Sequence, residues 1–174
     1  MSSDTGSIVT VTGRIDPESL GVTMCHEHLF IDTVEALYTE PDSAIDRRIA
    51  GEPVSMDTLP YVRRNAMQHR DNMRVDSMDE AIEEVSRYVQ AGGDAIVDVT
   101  PKNAGEDPRA VRAVAYETDT TIVHGTAHYV RPVHPERIDR MSVDEIVEEF
   151  VDDVETGIGD TDVRAGLIGE IGLS

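Results

Sequence analysis

The stretch GVTMCHEHLFID, residues 21–32, places two histidines, His26 and His28, on either side of one glutamate. The surrounding aliphatic and aromatic residues favour a β-strand. Residues two apart on a strand point to the same face, whereas a helix would separate them by about 200 degrees. Two imidazoles on one face can bind the same metal ion. The alternative is a pair of hydrogen-bonded core histidines, but burying both beside aliphatic side chains without partners is costly.

Three further β-rich runs follow this strand and are separated by helical segments. The runs are residues 94–101, 120–130 and 163–174. The helices are predicted over residues 77–93, 107–119 and 142–159; the first and last begin with a Ser/Glu capping box and end at glycine. The predicted apolar face of the last helix consists of Ile146, Val147, Phe150, Val151 and Val154. The polar segment 31–76 contains three prolines and is predicted to be loop with short helical pieces.

This order of elements is typical of right-handed βαβ units with a parallel sheet. All four runs carry polar groups in their second halves, among them His26, Asp98 and Glu170. In a (β/α)8 barrel the chemistry lies at these strand ends. We therefore predict an α/β fold that is the N-terminal half, about four βα units, of a TIM-type (β/α)8 barrel. Residues 1–174 would form a single incomplete barrel domain with strands 1 to 4, and strands 5 to 8 would be absent.

The charge of the chain limits its partners. Thirty-five acidic against 15 basic residues give a net charge of -20, and Lys102 is the only lysine. Such a field repels nucleic acid and anionic membranes. In molar salt the Debye length is about 3 Å, which screens the self-repulsion, so the composition predicts a halophilic protein from a haloarchaeon. With one cysteine and no apolar run of about 18 residues, we expect a soluble, cytoplasmic protein. Cys25 itself is expected to be a small buried residue that faces the helices.

The segment GVTMCHEHL, residues 21–29, resembles the strand-1 signature of the phosphotriesterase family of the amidohydrolase superfamily. That signature is Gly, any residue, Thr, Leu, any residue, His, Glu, His and an aliphatic residue, and Met24 stands at the leucine. Residues 92–108, 121–135 and 164–174 resemble the second, third and fourth barrel strands of the family in the same order. The resemblance therefore extends from about residue 8 to the last residue.

The resemblance implies a hydrolase with two divalent metal ions, zinc or other transition metals, whose bridging hydroxide attacks a small-molecule ester, lactone or phosphotriester. By the family pattern His26 and His28 bind one metal, and a group from strand 4 bridges both. That group is a carboxylated lysine in many members. Here Glu170 stands at the bridging position, and the only lysine, Lys102, follows strand 2. The remaining ligands of the family come from strands 5, 6 and 8.

Other residues have less specific assignments. His128 and Tyr129 follow strand 3, where the family lines its substrate pocket, so they are candidate substrate-binding residues. His69, His124 and His134 are expected on the surface or in packing contacts, because none has ligand spacing to another histidine. Asp98 and Lys102 are expected to support the ligands or lie in loops. Glu106 stands where the family tends to have an arginine.

Three functions remain open at this point. In the first, the chain is a truncated or split half of a phosphotriesterase-like or lactonase-like hydrolase and needs a separate C-terminal half chain. Alternatively it is a non-catalytic half-barrel remnant or an interaction subunit, and a homo-oligomer fits either case. The third function is a TatD-like metal-dependent nuclease, since GEIGL, residues 169–173, also occurs there. The net charge and the strand-1 signature weigh against nucleic acid as a partner.

Overall fold

The computed structural model describes residues 6–174 and contains the predicted parallel sheet. Four parallel strands lie in the order in which they occur along the chain, so the first and the last of them form the two edges of the sheet. They are β3 (Thr23–Glu27), β6 (Ala95–Asp98), β7 (Thr121–Thr126) and β8 (Leu167–Ile168). Two small antiparallel pairs flank this sheet: β1 (Ile8–Thr10) with β2 (Gly13–Ile15), and β4 (Ile31–Asp32) with β5 (Arg74–Val75). The chain thus has the α/β architecture predicted from its sequence.

Along the chain, a long helix separates each strand of this sheet from the next. The chain forms α4 (Met78–Gln90) before β6, α5 (Pro108–Thr118) before β7 and α6 (Val143–Glu155) before β8. Ser77 caps α4 by accepting a hydrogen bond from the Glu80 backbone N–H. Ser142 and Glu145 form the complete capping box of α6. These local contacts satisfy N–H groups that the first helical turn leaves unpaired, which explains why the helix starts could be predicted.

The segment between β4 and β5 is the irregular one, as predicted from its prolines. It contains three short helices, α1 (Val34–Leu37), α2 (Ala44–Ala50) and α3 (Leu59–Val62), together with two single 3-10 turns. Its two ends are joined by the pairing of Ile31 with Val75 and by an ion pair between Arg74 and Asp32 at 2.6 Å. The segment is therefore a long loop whose two ends are paired with each other before α4 begins.

The apolar core lies between the sheet and helices α4 and α5. Ile96 of β6 and Ile122 of β7 are 2% and 0% exposed and belong to one cluster with Val85 and Val111 of these helices. Because side chains alternate along a strand, residues two further along β6 and β7 also face the helices. This alternation determines where several polar groups of β6 and β7 lie.

Both edge strands are exposed. Met24 is 36% exposed, Ile168 is 53% and Ile171 beyond β8 is 56%. Cys25 is exposed as well, so the expectation of a buried cysteine facing the helices is wrong. The reason is the position of β3 at the sheet edge, where it pairs with β6 on one side only among the described strands. No helix within residues 6–174 is long and apolar enough to cross a membrane.

Candidate metal centre

The candidate ligands lie at the C-terminal ends of the two edge strands. His26 is in the last part of β3, His28 follows its end, and Glu170 comes two residues after β8. The register between β3 and β6 shifts between Met24 and Glu27. Such irregularities change the direction of side chains locally, and they are common beside functional sites. The three candidate ligands thus lie at the end of the sheet where the parallel strands have their C-termini.

The three side chains converge although 144 positions separate His26 from Glu170. Glu170 Oε2 lies 3.2 Å from His26 Nε2 and 3.5 Å from His28 Nε2. One ligand atom from each residue falls within 4.8 Å of the other two. The predicted approach of Glu170 to the histidines is confirmed, and its carboxylate points to the strand ends rather than into the helix layer. Two imidazole nitrogens and a carboxylate oxygen form a donor set that suits zinc.

The sheet backbone holds Glu170 in place. The Gly169 N–H donates to the Thr126 carbonyl oxygen at 3.0 Å, and the Glu170 N–H donates to the Val99 carbonyl oxygen at 3.3 Å. Gly125 permits this approach, because a Cβ at that position would lie 2.3 Å from the Gly169 oxygen. The bridging candidate is therefore fixed by two strands, and a side chain at position 125 would displace it.

The site is open on the side of β3. The His26 side chain is 57% exposed, whereas those of His28 and Glu170 are 26% and 28% exposed. The rings of His26 and His28 meet edge to face with centroids 5.5 Å apart. The ring of His28 has a further contact, since its Nδ1 lies 3.1 Å from Thr100 Oγ1. Of the three candidate ligands, His26 is the one that the described part of the chain leaves most accessible to solvent.

Lys102 makes contacts that keep its amine charged. Its Nζ lies 2.7 Å from Asp153 Oδ2 and 3.4 Å from Glu149 Oε1, both on α6. Burial alone would lower the pKa of Lys102, but Asp153, Glu106 and Glu149 together raise the pKa above its ordinary value. Carboxylation of a lysine requires the neutral amine. The ion pairs therefore favour Glu170 over Lys102 as the bridging group.

His128 and Tyr129 lie beyond β7, and their predicted contact with substrate stays a prediction. His128 is 7% exposed, with its ring 5.5 Å from that of Phe150 and its Nε2 3.5 Å from Glu149 Oε2. Burial lowers the pKa of His128, although Glu149 acts in the opposite direction. Tyr129 is half-buried, and its carbonyl oxygen accepts a hydrogen bond from His134 Nε2.

The sequence pattern does not predict the buried polar layer that lies between the sheet and the helices. Asp98 and His124 are both 0% exposed, with Asp98 Oδ1 3.1 Å from His124 Nδ1. Burial would raise the pKa of Asp98, but His124 and two backbone N–H donors hold it below the usual range. Burial raises the pKa of Glu106 to about 7. The available signal was alternation, because Asp98 and His124 each follow a core isoleucine by two positions.

The histidines outside the metal site are placed in packing contacts. His69 is fully buried and accepts a hydrogen bond at Nδ1 from the Asn72 N–H at 3.4 Å, and His124 is buried against Asp98. His134 is half-buried and donates to a backbone carbonyl. These positions agree with the packing roles expected from the absence of ligand spacing.

Comparison with known proteins now identifies the family. The model of the phosphotriesterase family matches residues 6–174. The chain belongs to the phosphotriesterase family. Human N-acetyltaurine hydrolase is 34% identical over 175 aligned positions, which cover 100% of this chain and 50% of that protein. The corresponding hydrolase of Xenopus tropicalis is 35% identical with the same coverage. The chain thus spans about half the length of the curated relatives it matches.

Solved structures give the same result for the fold. A resiniferatoxin-binding protein from Rhodobacter sphaeroides matches with a TM-score of 0.93 and 36% identity, over 97% of this chain and 47% of that one. A phosphotriesterase homology protein from Escherichia coli, complexed with phosphate in its active site, matches with a TM-score of 0.64 and 26% identity. The second match covers 90% of this chain and 43% of the other. These coverages agree with half of a barrel, as predicted from the four βα units.

Proposed function

We propose that this chain forms one half of a metal-dependent hydrolase that cleaves small-molecule amides or esters. The observation that carries the proposal is the convergence of His26, His28 and Glu170 at the ends of β3 and β8. Membership in the phosphotriesterase family supports a hydrolytic role for that cluster. The proposal extends to a soluble, cytoplasmic and halophilic protein, which rests on composition and charge alone.

The residues of the cluster would share the binding of two divalent ions, zinc being the first choice. His26 and His28 would hold one ion, and Glu170 would be the ligand that both ions share. When bound, such ions lower the pKa of water and polarise the bond under attack. The chain itself contributes the orientation of these donors, since the backbone N–H groups of Gly169 and Glu170 are bonded to Thr126 of β7 and to Val99 just after β6.

The relatives extend the range of substrates to test. The sequence resemblance implied esters, lactones and phosphotriesters, whereas the named relatives hydrolyse N-acetyltaurine, an amide. Amides, esters and phosphotriesters all have a polarised carbonyl or phosphoryl centre that hydroxide can attack. We propose N-acetyltaurine as the first substrate for assay, followed by lactones and a phosphotriester. His128 and Tyr129 are the proposed substrate contacts in this half.

The proposed activity requires further ligands. Catalytic zinc usually has three protein ligands and a water, and a two-metal site needs more than three side chains can supply. We therefore expect the 174-residue chain alone to show negligible turnover. Adding a separately produced half with strands 5 to 8 from a family member should restore hydrolysis. Complementation that binds metal but restores no hydrolysis would favour the alternative of a non-catalytic half-barrel.

Metal binding provides the direct test. Co²⁺ or Zn²⁺ added to the metal-free chain should bind with an affinity that falls in His26→Ala, His28→Ala and Glu170→Gln. Glu18→Gln is the matched control, because Glu18 is exposed in a 3-10 turn before β3. Titration calorimetry and the Co²⁺ absorption spectrum report binding without an activity assay. Equal affinity in the parent and all three site variants would refute the assignment of the ligands.

A further inference from the structure

The two histidine ligands differ in how their rings are held. His28 is contacted from both sides, by Thr100 Oγ1 at 3.1 Å from Nδ1 and by Glu170 Oε2 at 3.5 Å from Nε2. Apart from its edge contact with His28, the polar partner of the His26 ring among residues 6–174 is Glu170. The ring orientation of His28 is therefore defined by the neighbouring strand, whereas that of His26 is defined from one side.

Asp98 connects the backbone segments that carry this contact. Its Oδ2 accepts a hydrogen bond from the Leu29 N–H at 2.8 Å, immediately after His28. Its Oδ1 accepts from the Thr100 N–H at 3.0 Å. One fully buried carboxylate thus ties the end of β3 to the end of β6 at the point where the His28 ring meets the Thr100 hydroxyl.

The chemistry of imidazole explains why a metal-binding His28 needs a hydrogen-bond partner at Nδ1. A neutral imidazole has one N–H and one nitrogen lone pair, so binding of a metal at Nε2 places the proton on Nδ1. A partly buried N–H then needs an acceptor, and the Thr100 hydroxyl lies within hydrogen-bond distance of that nitrogen. Partners of this kind fix the tautomer and the ring plane of metal-binding histidines.

We infer that Thr100 and Asp98 are positioning residues for His28: the Thr100 hydroxyl accepts a hydrogen bond from the Nδ1–H group while Nε2 binds metal, and Asp98 fixes Thr100 and the His28 backbone relative to each other. The inference rests on the proposed metal-binding function. It deepens that function by assigning roles to two residues of β6 and its C-terminal extension that are not themselves ligands. A buried aspartate at the end of a strand that otherwise faces an apolar core is explained by this task.

Two variants of Thr100 test the inference. Thr100→Val removes the hydroxyl and keeps the branched shape, whereas Thr100→Ser keeps the hydroxyl. Removing a partner of this kind costs about 10- to 100-fold in metal affinity, so the Zn²⁺ dissociation constant of Thr100→Val should rise by that factor. Thr100→Ser should stay close to the parent. Thr121→Val, at the opposite end of the sheet on β7, is the matched control. Competition with a chromophoric chelator measures the affinities.

A second measurement separates this inference from the proposed function. Long-range proton–nitrogen NMR of the metal-free chain, with His28→Ala for assignment, reports whether the His28 ring has one orientation and one tautomer. The parent and Thr100→Ser should give one sharp set of His28 signals, and Thr100→Val and Asp98→Asn should give broadened or doubled ones. A parent that binds no zinc would refute the proposed function and leave this NMR comparison intact. A folded Thr100→Val with unchanged zinc affinity and unchanged His28 signals would overturn the inference.

Discussion

Replacing Lys102 with methionine should destabilise the chain strongly. Its ammonium group is 2.7 Å from Asp153 and 3.4 Å from Glu149, and the three side chains are only 11%, 5% and 15% exposed. At an effective dielectric constant of 20, Coulomb's law gives about 6 and 5 kcal/mol for these two distances. Desolvation of the three charges offsets most of this attraction in the intact network. Methionine keeps the length and the apolar stem of the side chain but removes the charge.

The cost of the substitution arises mainly at Asp153. Glu149 retains two hydrogen bonds from Arg137, both at 2.9 Å, whereas Asp153 retains the Thr126 hydroxyl. Removing one partner of a buried ion pair costs about 3 to 5 kcal/mol, and we expect about 3 kcal/mol because the second carboxylate keeps a cation. For a domain of this size that corresponds to a fall of about 6 to 12 °C in melting temperature.

Urea denaturation followed by circular dichroism at fixed high salt measures this loss. The matched control is Arg87→Met, which removes exposed ion pairs with Glu83 and Glu84 on α4. Exposed pairs contribute about 0 to 1 kcal/mol, so the control should remain near the parent. The double variant Lys102→Met/Asp153→Asn should recover part of the loss, because it leaves no unpaired buried charge at position 153. A Lys102→Met chain as stable as the Arg87→Met control would refute the reasoning.

Three further predictions concern pH, salt and catalysis. Folding raises the pKa of Glu106 from 4.5 to about 7, so unfolding releases a proton, and the free energy of unfolding should fall as the pH rises from 4.5 past 7. Glu106→Gln should remove that fall, which is a gain on the order of 1 to 3 kcal/mol at alkaline pH. A pH profile of the free energy of unfolding that Glu106→Gln leaves unchanged would contradict this prediction. On dialysis to about 0.1 M salt the chain should lose secondary structure by circular dichroism, and an unchanged spectrum would exclude the halophilic interpretation. The chain alone should hydrolyse neither N-acetyltaurine nor a lactone at a measurable rate, and chelator-sensitive turnover would show that His26, His28 and Glu170 suffice.

The elements of the fold could be predicted because their signals are local. Capping residues mark the starts of α4 and α6, and short β-rich runs between them define β6 and β7. Each of these features depends on residues within a few positions of one another. The order of strands then follows from the rule that successive βαβ units lie side by side with the same handedness.

The candidate site could be predicted only in part from physical reasoning. Strand geometry predicts a shared direction for His26 and His28, but nothing local connects them to Glu170, which is 144 residues away from His26. That connection came from the family resemblance. Carboxylates at strand ends also include Asp98, and spacing alone could not separate a ligand from a residue that supports one.

The wrong predictions for the apolar face of α6 and for Cys25 have a common physical origin in long-range contacts. Apolar spacing placed Val147 and Val151 of α6 in the interior, but they are 52% and 47% exposed, and Asp153 is 3% exposed instead. Asp153 forms an ion pair with Lys102, which lies about 50 residues earlier and after a different strand. Cys25 is exposed because β3 is an edge strand, a property of the assembled sheet rather than of residues 23–27.

The position of the candidate ligands couples the proposed metal site to the open edges of the sheet. His26 and His28 belong to the β3 edge and Glu170 follows β8 at the other edge, so these strands both carry the candidate ligands and leave apolar residues such as Met24 and Ile168 exposed. Strands that paired with these edges would reduce the exposure of His26 and of the apolar residues together. Because a ligand that binds only the closed form stabilises that form, metal and the complementary half should each raise the affinity for the other. Association of the two halves should therefore be tighter with zinc than with chelator, and Glu170→Gln should remove that difference without abolishing association driven by the apolar edges.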